Sequence, residues 1–263
     1  MTRTAPPVGA GTPARAASWP AMALALAGNE LRLALRRGEG LLITFVIPVG
    51  VLLVFSALDL GATTGGEPAV DRLLPGSISL AVIAAAFVAL AIATGFDRQY
   101  GVIKRLGGSP AGSSVVVTAK TAAVVAIELA QLVLLVGIAV VVLGWSAGPT
   151  ASAPVTLAAL VLGTAAFAGL GLLVAGTLRA EATLALANLL FLVFLVIGGI
   201  VLPLDRLPDA VAEVASVLPP AALTRALAIG LGTAAGDARE PLALLLGWAI
   251  VLGGLASRLF RWD

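Results

Sequence analysis

The sequence has no cysteine and no histidine among its 263 residues, and only 11% of its residues are charged. The absence of cysteine excludes disulfides and thiolate chemistry, and the absence of histidine removes the commonest metal ligand and the usual proton relay. Lys104 and Lys120 are the only lysines, and neither follows glycine in the phosphate-binding pattern G-x-x-x-x-G-K-[ST]. We therefore expect no catalytic residue, no metal site, no bound cofactor and no ATP hydrolysis by the chain itself.

Apolar residues make up 60% of the chain, and its mean hydropathy is +1.08. This is more apolar side chain than a water-soluble core of this length needs to bury, so the sequence predicts an all-α integral membrane protein. The 16 basic and 14 acidic residues nearly balance, which argues against nucleic-acid binding by bulk charge.

Six apolar runs are long enough, or nearly long enough, to cross a bilayer, which takes about 20 mostly apolar residues. The predicted transmembrane helices are residues 41–58, 76–96, 117–143, 155–178, 182–204 and 242–257. Lys120 lies near the start of the third span, where its ammonium group is able to reach the membrane surface. An even number of spans places both termini on the same side.

The basic residues are distributed unevenly between the two sets of connecting segments. One set contains only Arg72, Arg206, Arg225 and Arg239, and it is also rich in acidic residues. Because short loops rich in lysine and arginine stay in the cytoplasm, this set is predicted to be external and both termini are predicted to be cytoplasmic. Residues 1–22, rich in Ala, Pro and Gly, are predicted to be a disordered cytoplasmic tail.

Residues 23–40, ALALAGNELRLALRRGEG, precede the first span. On a helical wheel Leu31 and Leu35 share one face, and Arg32 and Arg36 lie roughly opposite, although the apolar stripe is imperfect. This pattern predicts an amphipathic interfacial helix whose arginines meet anionic lipid headgroups. The alternative is a plain cytoplasmic extension of the first span.

A charged stretch, GFDRQYGVIKRLGGSP at residues 95–110, follows the second span directly. Gly101 permits a bend, and the short helix predicted after it carries Lys104 and Arg105 at adjacent positions. One interpretation is that these basic residues only fix the topology. The other is that they contact a partner.

The stretch resembles the loop after the second span in the permease subunits of type-2 ABC exporters, where an acidic residue and a basic residue precede a run like YGVIKRLGGSP. A second segment, GGIVLPLDRLPDAVAEVASVLPPAALTRAL at residues 198–227, is similar to the outer end of the fifth span and the external segment of the same family. Together with span number and loop sizes, the resemblance covers most of the chain from residue 23 onward.

The resemblance implies that residues 41–263 are the six-span domain of a permease in the bacterial plasma membrane. It implies two copies of a separate ABC ATPase, which bind ATP and magnesium, and a second permease that is either the same chain or a paralogue. It also identifies residues 97–114 as the coupling loop that the ATPase moves. The residues implied to form this coupling element are Asp97, Arg98, Tyr100, Gly101, Lys104 and Arg105.

Residues 205–240, between the fifth and sixth spans, are apolar in stretches too short to cross a bilayer and are interrupted by proline. Backbone polar groups at membrane depth must be hydrogen-bonded, so two short re-entrant helices joined at proline turns are predicted. The resemblance implies that such helices close the outer end of the pathway. The prolines of this predicted external gate are Pro203, Pro208, Pro219 and Pro220.

Glu128 is the one acidic residue deep in a predicted span, and Gln131 lies one turn further along the same face. An ionisable group at that depth costs several kcal/mol, so it should face protein or water rather than lipid. One hypothesis places Glu128, Gln131 and Asn188 along the substrate path. The alternative is that Glu128 pairs with a buried polar group such as Asn188 or Lys120 and holds spans together.

The leading functional prediction is an export permease for an amphipathic or hydrophobic compound such as a drug, an antibiotic or a lipid-like molecule. Export of a lipid-linked glycan is a close alternative, although only 5% of the residues are aromatic. An ion-coupled secondary carrier would need more intramembrane acids or histidines than Glu128 alone. A scaffold or immunity protein without transport activity would not depend on Lys104 and Arg105.

Overall fold

The computed structural model describes residues 18–36, 38–58, 68–107, 112–201 and 203–260, and within these ranges it contains helices and connections but no strand. Residues 1–17, which are most of the predicted tail, lie outside the described part of the chain. Residues 108–111 of the predicted coupling loop do as well. The prediction of an all-α membrane protein is confirmed by this helical architecture.

The described helices are numbered here in chain order. They are α1 (Trp19–Arg36), α2 (Gly38–Ala57), α3 (Ala69–Val82), α4 (Leu90–Gln99), α5 (Val102–Gly107), α6 (Gly112–Leu143), α7 (Ala153–Thr177), α8 (Ala180–Ile197), α9 (Asp209–Ser216), α10 (Pro219–Gly230) and α11 (Arg239–Leu259). The helix is continuous from α3 to α4, because Ile83–Ala89 joins them as a π-helical segment. A 3₁₀ turn, Leu204–Arg206, precedes α9.

Five of the described helices are long and apolar enough to cross a membrane. They are the continuous helix Ala69–Gln99, Val115–Leu143 of α6, α7, α8 and α11. The predicted first span coincides with α2, whose described apolar part, Thr44–Ala57, is shorter. Counting the bent pair α9 and α10 as one span gives up to six. The chain is thus a multi-pass membrane protein, and the count of six spans stays a prediction.

Several predicted boundaries differ from the structure, as three helices illustrate. Helix α1 is Trp19–Arg36 rather than residues 23–40, and residues 38–40 belong to α2. It begins early because proline at position 20 fits the first helical turn and the following alanines favour helix. The second span begins at Ala69 rather than at residue 76. Helix α8 ends at Ile197 rather than at residue 204, because Gly199 adopts a left-handed conformation with φ of 66°.

Helix α7 occupies the centre of the molecule and packs against α11, α10 and α4. Its glycines allow backbones to approach closely: a Cβ at Gly171 would lie 3.1 Å from the Phe87 carbonyl oxygen, and one at Gly169 would lie 2.9 Å from the Gly253 nitrogen. Small residues at helix interfaces are a common basis of packing within membranes, where van der Waals contact replaces the hydrophobic effect.

Helices α9 and α10 meet at an angle of 74°. Pro219 and Pro220 form the first turn of α10, and Pro208 directly precedes α9, positions at which the missing proline N–H costs no helical hydrogen bond. The indole Nε1 of Trp248 donates a hydrogen bond of 2.8 Å to the Val217 carbonyl at the bend. The predicted pair of short helices is therefore present, and its depth in the membrane stays a prediction.

Replacing Gly169 with Val is expected to destabilise the protein, because the new side chain meets the backbone of α11 and overpacking typically costs about 1–3 kcal/mol. Gly247→Val is the matched control, since nothing lies within 4 Å of a Cβ at Gly247. Thermal melts of both variants in detergent, followed by size-exclusion chromatography, measure the effect. Equal melting temperatures for the two variants would show that the α7–α11 contact does not limit stability.

Candidate functional site

An elbow joins α4 to α5, and it is defined by residues 96–105. Gly101 makes the bend with φ of 68°, a left-handed conformation that favours glycine. The rings of Phe96 and Tyr100 stack with their centroids 6.1 Å apart. Helix α5 then turns Ile103 into the protein, where it is buried, while Lys104 and Arg105 are exposed. The elbow thus exposes two cations on a short helix that is held against the protein by the buried side chain of Ile103.

Arg98 connects the elbow to the end of α7 through hydrogen bonds. Its guanidinium donates hydrogen bonds of 2.8 Å to the Ala175 carbonyl and 2.9 Å to the Leu178 carbonyl. The last carbonyls of a helix lack intrahelical partners and carry the negative end of the helix dipole, so a cation is favourable there. Arg98 therefore couples α4 to the central helix of the protein.

A second polar contact joins the elbow to the start of α8. The Gln99 amide donates a hydrogen bond of 2.8 Å to the Glu181 carboxylate. Both side chains are exposed at this contact, so it contributes little compared with the bonds of Arg98.

Lys120 on α6 forms a buried ion triad with residues of two other helices. Its ammonium lies 2.5 Å from the Asp97 carboxylate on α4 and 3.1 Å from the Glu30 carboxylate on α1, and its side chain is only 5% exposed. The sequence led us to expect that Lys120 reaches the membrane surface. It is instead held inside the protein, because two carboxylates are available to compensate for its desolvation.

Next to the triad lies a cavity of about 630 Å³ between α1, α2, α4, α6, α8 and the π-helical segment. Its walls are mostly apolar, and its polar lining residues are Glu30, Thr44, Lys120 and Asn188. Leu192, which also lines it, is 58% exposed, so the cavity reaches the side of the protein that faces lipid or a neighbouring subunit.

The buried polar residues of α6 bridge helices. The Thr164 hydroxyl on α7 donates a hydrogen bond of 2.5 Å to the Glu128 carboxylate, and the Gln131 amide donates one of 3.1 Å to the Thr44 carbonyl on α2. Thr164 is thus the hydrogen-bond partner of Glu128, rather than Asn188 or Lys120.

Among the described residues, those lining the cavity include Asn188 but neither Glu128 nor Gln131. The structure therefore brings Asn188 together with Glu30, which the sequence did not point to. The assignment of Glu128 and Gln131 to a substrate path stays a prediction. No group of three or more acidic residues that could hold a metal ion occurs among the described residues.

The six residues predicted to form the coupling element divide into two kinds in the structure. Asp97 and Arg98 are engaged inside the protein, and Gly101 shapes the bend. Tyr100, Lys104 and Arg105 are exposed and are the ones available to a partner. Sequence reasoning missed Glu30 and Thr164, because neither residue stands out within its own helix.

Replacing Lys120 with Met is expected to destabilise the protein, because Asp97 and Glu30 then face each other without a cation. Removing one partner of a fully buried ion pair costs about 3–5 kcal/mol, and the partial exposure of both carboxylates makes this an upper bound. Lys104→Met removes the same charge from an exposed position and is the control. The ion triad would be unimportant for stability if both variants melted at the temperature of the unmodified protein.

A comparison with curated proteins finds no similar sequence. The family model described as ABC-2 type transporter matches residues 23–231, which run from α1 through α10 and include the elbow, the triad and the cavity. This match covers most of the chain, and membrane domains of this family pair with an ABC ATPase. The protein therefore belongs to the ABC-2 type transporter family and is a multi-pass permease.

Proposed function

We propose that the chain is the permease of an ATP-driven exporter of an amphipathic or hydrophobic compound, such as a drug, an antibiotic or a lipid-like molecule. Two copies of a partner ATPase bind ATP and magnesium and hydrolyse the nucleotide, and a second permease completes the pathway. Within this proposal the chain lies in a bacterial plasma membrane with both termini and the elbow on the cytoplasmic side. The observation that carries it is the elbow itself, an anchored helix with exposed Lys104 and Arg105 in a member of the ABC-2 family.

The contacts of the elbow suggest how ATPase movement reaches the membrane. A force on α5 is transmitted to α4 through the short bend at Gly101. From there the bonds of Arg98 transmit it to α7, and the ion triad of Lys120 transmits it to α6 and α1. Two long helices and the N-terminal helix therefore move with the elbow, as alternating access requires.

The cavity supports an amphipathic substrate. Its volume of about 630 Å³ lies within the range of about 300–1,000 Å³ typical of sites for drug-sized ligands. Phe191 is its one aromatic lining residue among those described, which favours an aliphatic or compact substrate over a glycan that stacks on rings. In this proposal α9 and α10, with their prolines, form the external gate.

Charge reversal at the elbow tests the ATPase contact. Lys104→Glu combined with Arg105→Glu is expected to reduce recovery of the co-purifying ATPase by about tenfold or more, equivalent to about 1.4 kcal/mol of binding energy. Arg206→Glu combined with Arg239→Glu makes the same change in net charge on exposed residues of the predicted external face and is the control. The measurement is a pull-down from gently solubilised membranes, with ATPase activity assayed in the eluate.

Two results would contradict this assignment. If the elbow variant recovers as much ATPase as the control, the partner binds elsewhere on the chain. If no ATPase co-purifies with the unmodified protein in any mild detergent, the exporter lacks its energy source, and Glu128 is the next residue to test for ion coupling.

Arg98 is expected to affect coupling rather than binding, because its guanidinium lies within the protein and not on the exposed side of the elbow. Arg98→Gln removes two charge-assisted hydrogen bonds to α7. The variant should still recover the ATPase, while stimulation of ATP hydrolysis by substrate falls several-fold, as measured in proteoliposomes. Arg98→Lys, which keeps the charge, should restore part of this stimulation. Unchanged stimulation in Arg98→Gln would exclude this route of transmission.

A further inference from the structure

The ion triad at the polar end of the cavity carries one more negative charge than positive charge. Glu30 and Lys120 are the only charged residues among the described residues that line it. The Lys120 ammonium lies 2.5 Å from the carboxylate of Asp97, which is not among those lining residues, and 3.1 Å from that of Glu30. Two carboxylates therefore share one cation, and the shorter distance belongs to Asp97. A formal negative charge is left, and it resides on the Glu30 side, which faces the cavity.

Among the residues that the structure describes, no other cation neutralises this charge from within the cavity. The Arg98 guanidinium is directed to the carbonyls at the end of α7. Arg32 and Arg36, on the same helix as Glu30, are exposed and do not line the cavity. A ligand that enters the cavity thus meets a carboxylate whose only charged partner within 4.0 Å, among the described residues, is an ammonium group already bonded to Asp97.

The rest of the lining determines what kind of cation fits. The walls away from the triad consist of small and branched apolar side chains from the π-helical segment, α4, α6 and α8, including Ala85, Val88 and Ile127. These walls cannot replace the water around a small inorganic ion. The ring of Phe191 offers an aromatic face, which also attracts organic cations.

We propose that this cavity selects amphiphilic organic monocations, with the charged end of the ligand at Glu30 and its apolar body against the walls. The inference rests on the proposed export function and specifies the charge of its substrate. Anions are disfavoured because Lys120, the one cation among the described lining residues, already has two carboxylate partners. The exposed Leu192 at the rim gives such a ligand a lateral entrance from the lipid.

Tetraphenylphosphonium and tetraphenylborate provide the test, because they have nearly the same size and shape and opposite charges. Binding to the purified full chain in detergent micelles is measured by equilibrium dialysis against empty micelles, without ATPase or nucleotide. We expect the cation to bind about tenfold or more tightly than the anion after the micelle background is subtracted, as expected for one close charge contact.

Two variants distinguish a built site from general partitioning. Glu30→Gln should weaken binding of the cation about tenfold, while Glu213→Gln, which removes an exposed carboxylate on α9, should not change it. Ala89→Leu adds an aliphatic side chain at the exposed rim of the cavity and should weaken binding of the cation by occupying space, with all charges intact.

Four outcomes would overturn the inference. Three of them are equal binding of both ions, tighter binding of the anion, and no binding of either ion, which is the result expected if lipid or a second copy of the chain fills the cavity. A fourth is a Glu30→Gln variant that binds like Glu213→Gln. None of these depends on the ATPase pull-down, so the exporter assignment and the preference for cations can fail separately.

Discussion

The buried ammonium of Lys120 is the contact on which the functional end of the molecule depends. A lone charge in an apolar interior is costly, and it persists here because Asp97 and Glu30 approach it from two different helices. Since the buried ammonium depends on both carboxylates, its two ion pairs favour one relative arrangement of α1, α4 and α6 near the elbow. The short helix α5 thus begins from a fixed base.

The same ammonium also lines the cavity, so one side chain belongs to both the ion triad and the cavity wall. On one side it holds Asp97 at the start of the elbow, and on the other it holds Glu30 in the cavity wall. A ligand that draws the Glu30 carboxylate toward itself loosens one of the two bonds that fix the elbow. In the proposed transporter, occupancy of the cavity and the position of the elbow are therefore linked energetically, and such a linkage acts equally in both directions.

The helices could be predicted because apolar runs of membrane-crossing length are visible in the sequence, and the prediction of residues 155–178 differs little from α7, Ala153–Thr177. The early end of α8 was missed because Gly199 lies within an apolar run, and hydropathy carries no information on backbone handedness. The exposed Lys104 and Arg105 were predictable from their local pattern. The roles of Arg98 and Glu30 were not, because their partners lie far along the chain.

The π-helical segment Ile83–Ala89 has a consequence for everything that follows it along the second span. A π turn spans more residues than an α turn, so the segment shifts the rotational phase of α4 relative to α3. With this phase, Asp97 contacts Lys120 on α6 and Arg98 contacts the end of α7. Rewinding the segment into a regular α-helix would change this phase without breaking the helix, so the contacts of both side chains depend on the winding of a segment that neither of them touches.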